Sequence, residues 1–380
     1  MNIIQVNLSD KKSVNEFLDF PAKLYSNCRQ WVPPLSIEAR QALDPEKNPF
    51  FKHSEAAFFL CYDESVIQGR LAVINNHRYN KYNQSRTAFF HLFECQNKPE
   101  AANLLFSEGS KWAKARDLNE ITGPKGFSLL DGMGLLIKGF EYRPAFGIPY
   151  NLPYYPELVE TCGFLKTSDV YSGFLDPARD IPARMYKLSD AIQKRRGLKI
   201  ARFSNRSELQ RIIPYLKELY NGALEGTQGT YPLEDDEIKV MQDQLLHFAD
   251  PSLIKIVMKT STFPGQNEKP VGFLLAYPDI SSSVQKSKGR LFPFGWLRML
   301  LDSKQTEWID INGAGMVNEY RGLGGTAILF SEMYKTIRSK KQFKHAEFVQ
   351  IGADNEKMLR ELKDLGCEIT KIHRLYKKIL

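Results

Sequence analysis

Residues 309–329 read IDINGAGMVNEYRGLGGTAIL and are the most informative stretch of the chain. Apolar and polar residues alternate at its start, as they do in a β-strand, and a glycine-rich turn follows. After Gly325 the apolar residues recur at helical spacing. A glycine-rich turn between a strand and a helix presents unpaired amides at the positive end of the helix dipole, so this stretch predicts a phosphate-binding loop.

The segments after this stretch continue the alternation of strand and helix. We predict a strand at 345–351, a helix at 355–365 and a final strand from Cys367 to about Lys377. Asn355 and Gly366 stand where the N-cap and the C-terminal cap of that helix are expected. This order predicts an α/β fold with a mixed sheet flanked by helices.

Two motifs in this region resemble the acyl-CoA-binding motifs of the GNAT superfamily of N-acetyltransferases. Arg321 and Gly324 match the pyrophosphate loop Arg/Gln-x-x-Gly-x-Gly/Ala, with Thr326 at its third position, and Asn355 and Gly366 keep the spacing of a later helix. The resemblance implies acetyl-CoA or another acyl-CoA as co-substrate. The residues that it assigns to this site are Gly315, Met316, Val317, Arg321, Gly322, Leu323, Gly324, Gly325, Thr326 and Asn355.

The motifs do not determine which residues would transfer protons. Many GNAT enzymes have a tyrosine seven residues after the conserved asparagine, and this chain has Leu362 there. A proton donor must therefore lie elsewhere or be water, or the protein carries out no chemistry. The candidates are Asp310, Glu319 and, through a water, Asn312 as bases, and Tyr376 and Tyr320 as acids; each is also explained as a structural polar residue.

The first half of the chain follows the same order of strands and helices but lacks the loop. Its strand ending at Cys95 is followed by QNKP, without glycine, so we do not expect this half to bind CoA in the usual way. A loop rich in Gly, Pro and Tyr from Gly123 onward either lines a cleft or packs between the halves. Together with WVPP at Trp31 and NPFF at Asn48, these features resemble a bacterial family with tandem GNAT-like halves. We predict a degenerate GNAT-like domain at 1–176, a linker at 177–199 and an acyl-CoA-binding GNAT domain at 200–380.

The composition indicates a folded globular protein. Of the 380 residues, 43% are hydrophobic and 25% are charged, and the net charge of +8 suits phosphorylated small molecules without favouring nucleic acid. The five cysteines are odd in number and lack a Cys-x-x-Cys pair, so we expect reduced thiols and no metal. Without an export signal or a run of about 18 apolar residues, the sequence predicts a cytoplasmic protein with no membrane span.

Residues 281–304 fit neither the helical nor the strand period and are interpreted as an insertion between two strands. Their apolar residues have three possible roles: a lid over a site, a dimer patch, or a surface helix packed on the core.

Two functional hypotheses follow from the sequence. The first is an acyl-CoA-dependent N-acyltransferase, most simply an acetyltransferase, acting on a small-molecule or peptide amine; Gly324→Glu should then abolish CoA binding. The second is a non-catalytic module that senses acyl-CoA or binds a protein. Transfer from aminoacyl-tRNA is suggested only by the two-domain layout and the positive charge.

Overall fold

The structure is a computed structural model that describes residues 1–227, 229–248, 250–260 and 268–380. The N-terminal half contains β1 (Asn2–Gln5), α1 (Lys11–Leu24), α2 (Ser36–Ala42), β2 (Glu55–Asp63), β3 (Val66–Asn75), α3 (His77–Asn83), β4 (Thr87–Cys95), α4 (Pro99–Lys114), β5 (Glu120–Gly123), β6 (Leu135–Lys138), α5 (Tyr155–Thr161) and β7 (Leu165–Leu175).

The C-terminal half begins with a helix that lies in the predicted linker. Its elements are α6 (Ala183–Arg196), β8 (Leu198–Ala201), α7 (Arg206–Leu209), α8 (Leu216–Leu224), α9 (Asp235–Phe248), β9 (Ile254–Lys259), β10 (Lys269–Pro278), α10 (Ser281–Lys286), α11 (Gly295–Gln305), β11 (Trp308–Met316), α12 (Gly325–Lys340), β12 (His345–Gly352), α13 (Glu356–Asp364) and β13 (Glu368–Ile379).

One mixed sheet runs through both halves in the order β1-β2-β3-β4-β5-β13-β7-β12-β11-β10-β9-β8, and β6 pairs with β13. In each half the first four strands form an antiparallel meander, and the fourth then pairs with the fifth in parallel. A parallel pair needs a crossover, which α4 supplies in the first half and α12 in the second. The internal repeat predicted from the sequence pattern is therefore present in the backbone.

The two halves exchange their last strands. β7 ends the N-terminal half but pairs with β12, whereas β13 ends the chain and pairs with β5. β7 and β13 also pair with each other along most of their length. Each half therefore completes its sheet with a strand from the other half.

The helices cover both faces of the sheet and form separate cores. On one face α4 packs against β2 and β3, and α12 packs against β9 and β11 as well as α6. On the other face α1 packs on β3 and α8 on β10 and β11. Pro214 separates α7 from α8, because it lacks the N–H that a continuous helix needs. No helix in the described ranges is long and apolar enough to cross a membrane.

Candidate functional site

The candidate site is an opening between β11 and β12. These strands pair in parallel only over Trp308–Ile311 and His345–Phe348. Beyond that point β12 shifts register near Gln350, which has a φ of 49°, and continues to pair with β7. In the part of the chain that the structure describes, the edge of β11 that faces β12 has no strand partner after Ile311. An extended ligand can pair with such an edge as an added strand would.

A β-bulge shapes this free edge. The pairing of β11 with β10 includes one extra residue of β11 around Asn312 and Gly313. Gly313 has a φ of 134°, and a Cβ atom on Gly315 would lie 2.9 Å from Cβ of Ala223. Both positions therefore require glycine, one for its conformation and the other for the close approach of α8.

The glycine-rich loop lies at the end of the free edge. Gly324 is the N-cap of α12 with a φ of 84°, and Gly322 has a φ of 72°. The amide of Leu323 bonds to a carbonyl of the preceding turn. Among the described residues, no acceptor is present for the amides of Gly322, Gly324, Gly325 and Thr326. Such free amides at the start of a 16-residue helix favour an anion.

Arg321 holds this loop in place through two hydrogen bonds to backbone carbonyls. Its Nε donates to the carbonyl of Met316 at 3.3 Å, and its Nη2 donates to the carbonyl of Ala223 at 2.8 Å. The amide of Val317 donates to the carbonyl of Val271 at 2.9 Å, which fixes the point where β11 ends. Arg321 therefore holds the loop in position against α8 and β11.

The second predicted motif lies beside the first. The side chain of Asn355 accepts from the amide of Met358 and so caps α13. Thr326 Oγ1 donates to Glu361 at 3.3 Å, which joins the start of α12 to α13. On the first turn of α13, Lys357 Nζ lies 3.8 Å from the place where a Cβ of Gly322 would be. Lys357 was not singled out in the sequence, because its nearness to the loop depends on how α12 and α13 pack.

Tyr376 and Leu362, the residue at the usual tyrosine position, both lie in cores and not at the opening. Tyr376 lies on β13 in the core of the N-terminal half, where its hydroxyl donates to Glu160 at 3.0 Å. The pairing of β13 with β5 places Tyr376 in the N-terminal half, away from the loop. Leu362 is 1% exposed and packs in the core under α13. Glu319 is exposed on the short 3-10 turn Asn318–Tyr320 that precedes the loop.

Asp310 belongs to a buried group of charges near the start of β11. Lys371 Nζ donates to Glu347 Oε1 at 2.5 Å, and Arg143 donates to Asp279 at 3.2 Å. Burial raises the pKa of Asp310 well above its usual range; the carboxylates of Asp279 and Glu347 raise it further, while Lys371 and Arg143 oppose the rise. Asp310 is 7% exposed and pairs with Glu347 in the closed part of β11, before the free edge begins. The geometry therefore argues against Asp310 as the general base.

The corresponding edge in the N-terminal half is filled by side chains of that half. The amide of Cys95 donates to Tyr155 Oη at 3.0 Å, and Tyr154 Oη donates to the carbonyl of Cys95 at 2.7 Å. Tyr155 Oη also donates to Glu94 at 2.7 Å. α4 begins at Pro99 directly after this point, without a glycine-rich loop. The amide and the carbonyl of Cys95 on this edge therefore already have partners.

Comparison with known proteins gives relatives of similar length. No family model matches the chain. It is 26% identical to the protein YghO of Escherichia coli K12, with 97% of this chain and 93% of that protein covered. It is 25% identical to a bacterial ceramide synthase of Caulobacter vibrioides, with 97% and 95% covered. A solved tandem GNAT protein from the clavulanic acid biosynthesis pathway aligns over 100% of this chain and 98% of its own, with a TM-score of 0.55 and 12% identity.

The fold is that of a tandem GNAT protein. The match to the clavulanic acid pathway protein spans both halves of this chain. The strands β11 and β12, which separate after Ile311 and Phe348, lie in the C-terminal half of this chain. The resemblance stated from residues 309–329 and Asn355 is thereby confirmed at the level of fold, and the chain has an acyltransferase fold. Within this tandem GNAT fold, only the C-terminal unit combines an open strand edge with a glycine-rich loop among the described residues.

Proposed function

We propose that the protein is an acyl-CoA-dependent N-acyltransferase whose co-substrate binds in the C-terminal unit. The observation that carries the proposal is the free edge of β11, which leads directly to the unbonded amides of the loop. The backbone of Asn312–Met316 would pair with the pantetheine arm, and the amides of Gly322, Gly324 and Thr326 would hold the pyrophosphate. These groups suit an extended amide-containing arm that ends in an anion.

Placement of the amine beside the thioester would supply most of the catalysis. Acyl-CoA supplies an activated acyl group; the amine nitrogen forms a bond to the carbonyl carbon, the carbon–sulfur bond breaks, and CoA leaves as the thiolate. The protein's part is to hold both reactants, an effect that can lower a barrier by about 7–11 kcal/mol. Leu362 lies in the core and Asp310 is buried in the paired part of β11. We therefore propose that water accepts the proton from the amine and donates a proton to the thiolate.

The acceptor that we propose is an amine with a long apolar chain, and the donor is a long-chain acyl-CoA rather than acetyl-CoA. The relative named a bacterial ceramide synthase suggests this class, because a ceramide is the amide of a fatty acid and a long-chain amino alcohol.

Titration calorimetry with CoA, acetyl-CoA and palmitoyl-CoA tests the co-substrate site. Gly324→Glu, the substitution that the sequence indicated, is a poor test because its Cβ would lie 2.1 Å from Cδ1 of Ile192 and its φ is 84°. Thr326→Glu is better, since acidic residues are tolerated in the first turn of a helix. Its carboxylate would lie near Glu361 and should lower stability, so its fold is checked by thermal unfolding. A charge about 5 Å from the pyrophosphate should cost about 2–3 kcal/mol, or about 30- to 160-fold in Kd. Thr326→Gln is the uncharged control of the same size. Unchanged affinity of Thr326→Glu, with its fold intact, would contradict the site.

Release of free thiol from palmitoyl-CoA, measured with and without a long-chain amino alcohol, tests the reaction. We expect amine-dependent thiol release and an amide product by mass spectrometry, with a rate that rises with pH as the free amine forms. Tight acyl-CoA binding with no amine-dependent release would instead support the second candidate, a non-catalytic acyl-CoA sensor. The core position of Leu362 and the burial of Asp310 are the observations that favour that alternative.

We infer the cytoplasm as the compartment, because acyl-CoA is formed there and all five cysteines are free.

A further inference from the structure

The insertion between β10 and β11 carries a large exposed apolar surface. It folds as α10 and α11 joined by a short loop, and its most exposed apolar residues lie on that loop and on α11. Phe292 is 76% exposed and Phe294 is 75% exposed, and four further large apolar side chains on α11 are 40–50% exposed. We call this set the apolar face; its members are Phe292, Phe294, Trp296, Leu297, Leu300 and Leu301. Contiguous apolar surface of this kind marks an interaction site.

The inner side of the insertion is fixed to the rest of the fold. Met299 is the buried residue of α11 and packs with Val284 and with Leu35 of the N-terminal half. Ser283 donates to Asp302, which ties α10 to α11. At the start of α10, Asp279 accepts from the amide of Ser281 at 2.8 Å. The apolar face is therefore held outward by an anchored pair of helices, and its residues are not needed to hold the pair in place.

Positive charge is concentrated on the same insertion as the apolar face, and Arg290 and Arg298 line one cleft with Phe292 and Phe294. The insertion contains five cationic side chains, all exposed, and among the described residues none of the five forms an ion pair. They are Lys286, Lys288, Arg290, Arg298 and Lys304. The single acidic residue between positions 281 and 305, Asp302, is half-buried against Ser283. Large apolar side chains with cations beside them fit a partner that has an apolar interior beneath an anionic surface.

We propose that α11 and the loop before it dock on an anionic lipid bilayer. Phe292, Phe294 and Trp296 would enter the boundary between headgroups and acyl chains, where aromatic residues are favoured, and the cations would contact lipid phosphates. A second copy of the chain fits this surface less well, because a two-fold interface brings the same five cations face to face. Docked in this way, the protein would be a peripheral membrane protein, bound at the bilayer surface.

Vesicle flotation of the full-length protein tests the inference without acyl-CoA, so its result is independent of the proposed function. We expect binding to vesicles of phosphatidylcholine mixed with phosphatidylglycerol, weaker binding to phosphatidylcholine alone, and a decrease with added salt. The triple variant Phe292→Ser/Phe294→Ser/Trp296→Ser should lower the partition coefficient at least ~10-fold. Arg298→Glu should weaken binding to the anionic vesicles and leave binding to phosphatidylcholine vesicles unchanged.

Matched controls separate docking from general stickiness and from dimer formation. Val66→Ser and Leu165→Ser remove apolar side chains that are 60% and 75% exposed on other parts of the surface, and they should leave flotation unchanged. Thermal unfolding and CoA titration of the triple variant should match the unaltered protein. Equal flotation of the triple variant, or no flotation of the unaltered protein with anionic vesicles, would overturn the inference. So would a dimer in sedimentation analysis that the triple variant converts to monomers without any lipid binding.

Discussion

Removal of Lys371 should reveal what the buried charges near β11 contribute to stability. Lys371 Nζ lies 2.5 Å from Glu347 Oε1, and their side chains are 1% and 4% exposed. Lys371→Met leaves the carboxylate of Glu347 buried without its cation, close to Asp310 and Asp279, which also carry carboxyls. Breaking one partner out of a buried pair costs about 3–5 kcal/mol, so we expect the free energy of unfolding to fall by that amount near neutral pH.

The loss should depend on pH in a defined direction. Burial raises the pKa of Glu347 in the folded protein, and Lys371 counteracts the rise. Without Lys371 the pKa rises further, so the folded state binds a proton more tightly than the unfolded state does. Stability then falls as the pH rises through the interval between the unfolded and folded pKa values, by at most about 1.4 kcal/mol per pH unit for one group. The penalty in Lys371→Met should therefore be smaller at about pH 5.5 than at about pH 8.

Urea unfolding at these two pH values measures both effects. The double variant Lys371→Met/Glu347→Leu should recover most of the loss, since it leaves no unpaired charge from this pair. Arg360→Met is a control for an exposed pair, because Arg360 and Glu356 are 77% and 74% exposed, and it should cost less than about 1 kcal/mol. A loss in Lys371→Met that is equal at both pH values, or a double variant no more stable than the single one, would refute this reasoning.

Three further substitutions test how the site is built. Lys357→Ala should raise the Kd for CoA about fivefold, because its ammonium lies near the loop, and the difference should shrink in high salt when measured by calorimetry. Leu362→Tyr should lower the free energy of unfolding by about 1–3 kcal/mol through overpacking, and thiol release should show no gain in rate. Tyr376→Phe should cost about 1 kcal/mol through the lost hydrogen bond to Glu160 and leave acyl transfer unchanged; a large fall in kcat would return Tyr376 to the reaction.

The sequence predicted the parts of the site that are built from neighbouring residues. The strand, the loop and the helix of residues 309–329 form one continuous stretch, and glycine at 313 and 324 is dictated by local backbone conformation. The N-cap role of Asn355 is local in the same way. The environment of Asp310 was not predictable, because the charges that raise or lower its pKa come from positions 143, 279, 347 and 371 on separate elements.

The exchange of β7 and β13 is the feature that sequence patterns could not reveal, and it changes how the two halves should be regarded. Alternation of apolar and polar residues specifies that a segment is a strand and which face is buried, but it does not specify the neighbouring strand. Each half therefore looks self-contained in sequence, although Tyr376 fills the core of the N-terminal half and β7 borders β12 beside the proposed acyl-CoA site. Because β7 pairs with both β12 and β13, the N-terminal half supports one wall of the opening even though its own edge at Cys95 is filled. Its loss of CoA-binding features is thus compatible with an essential structural contribution to the site in the other half.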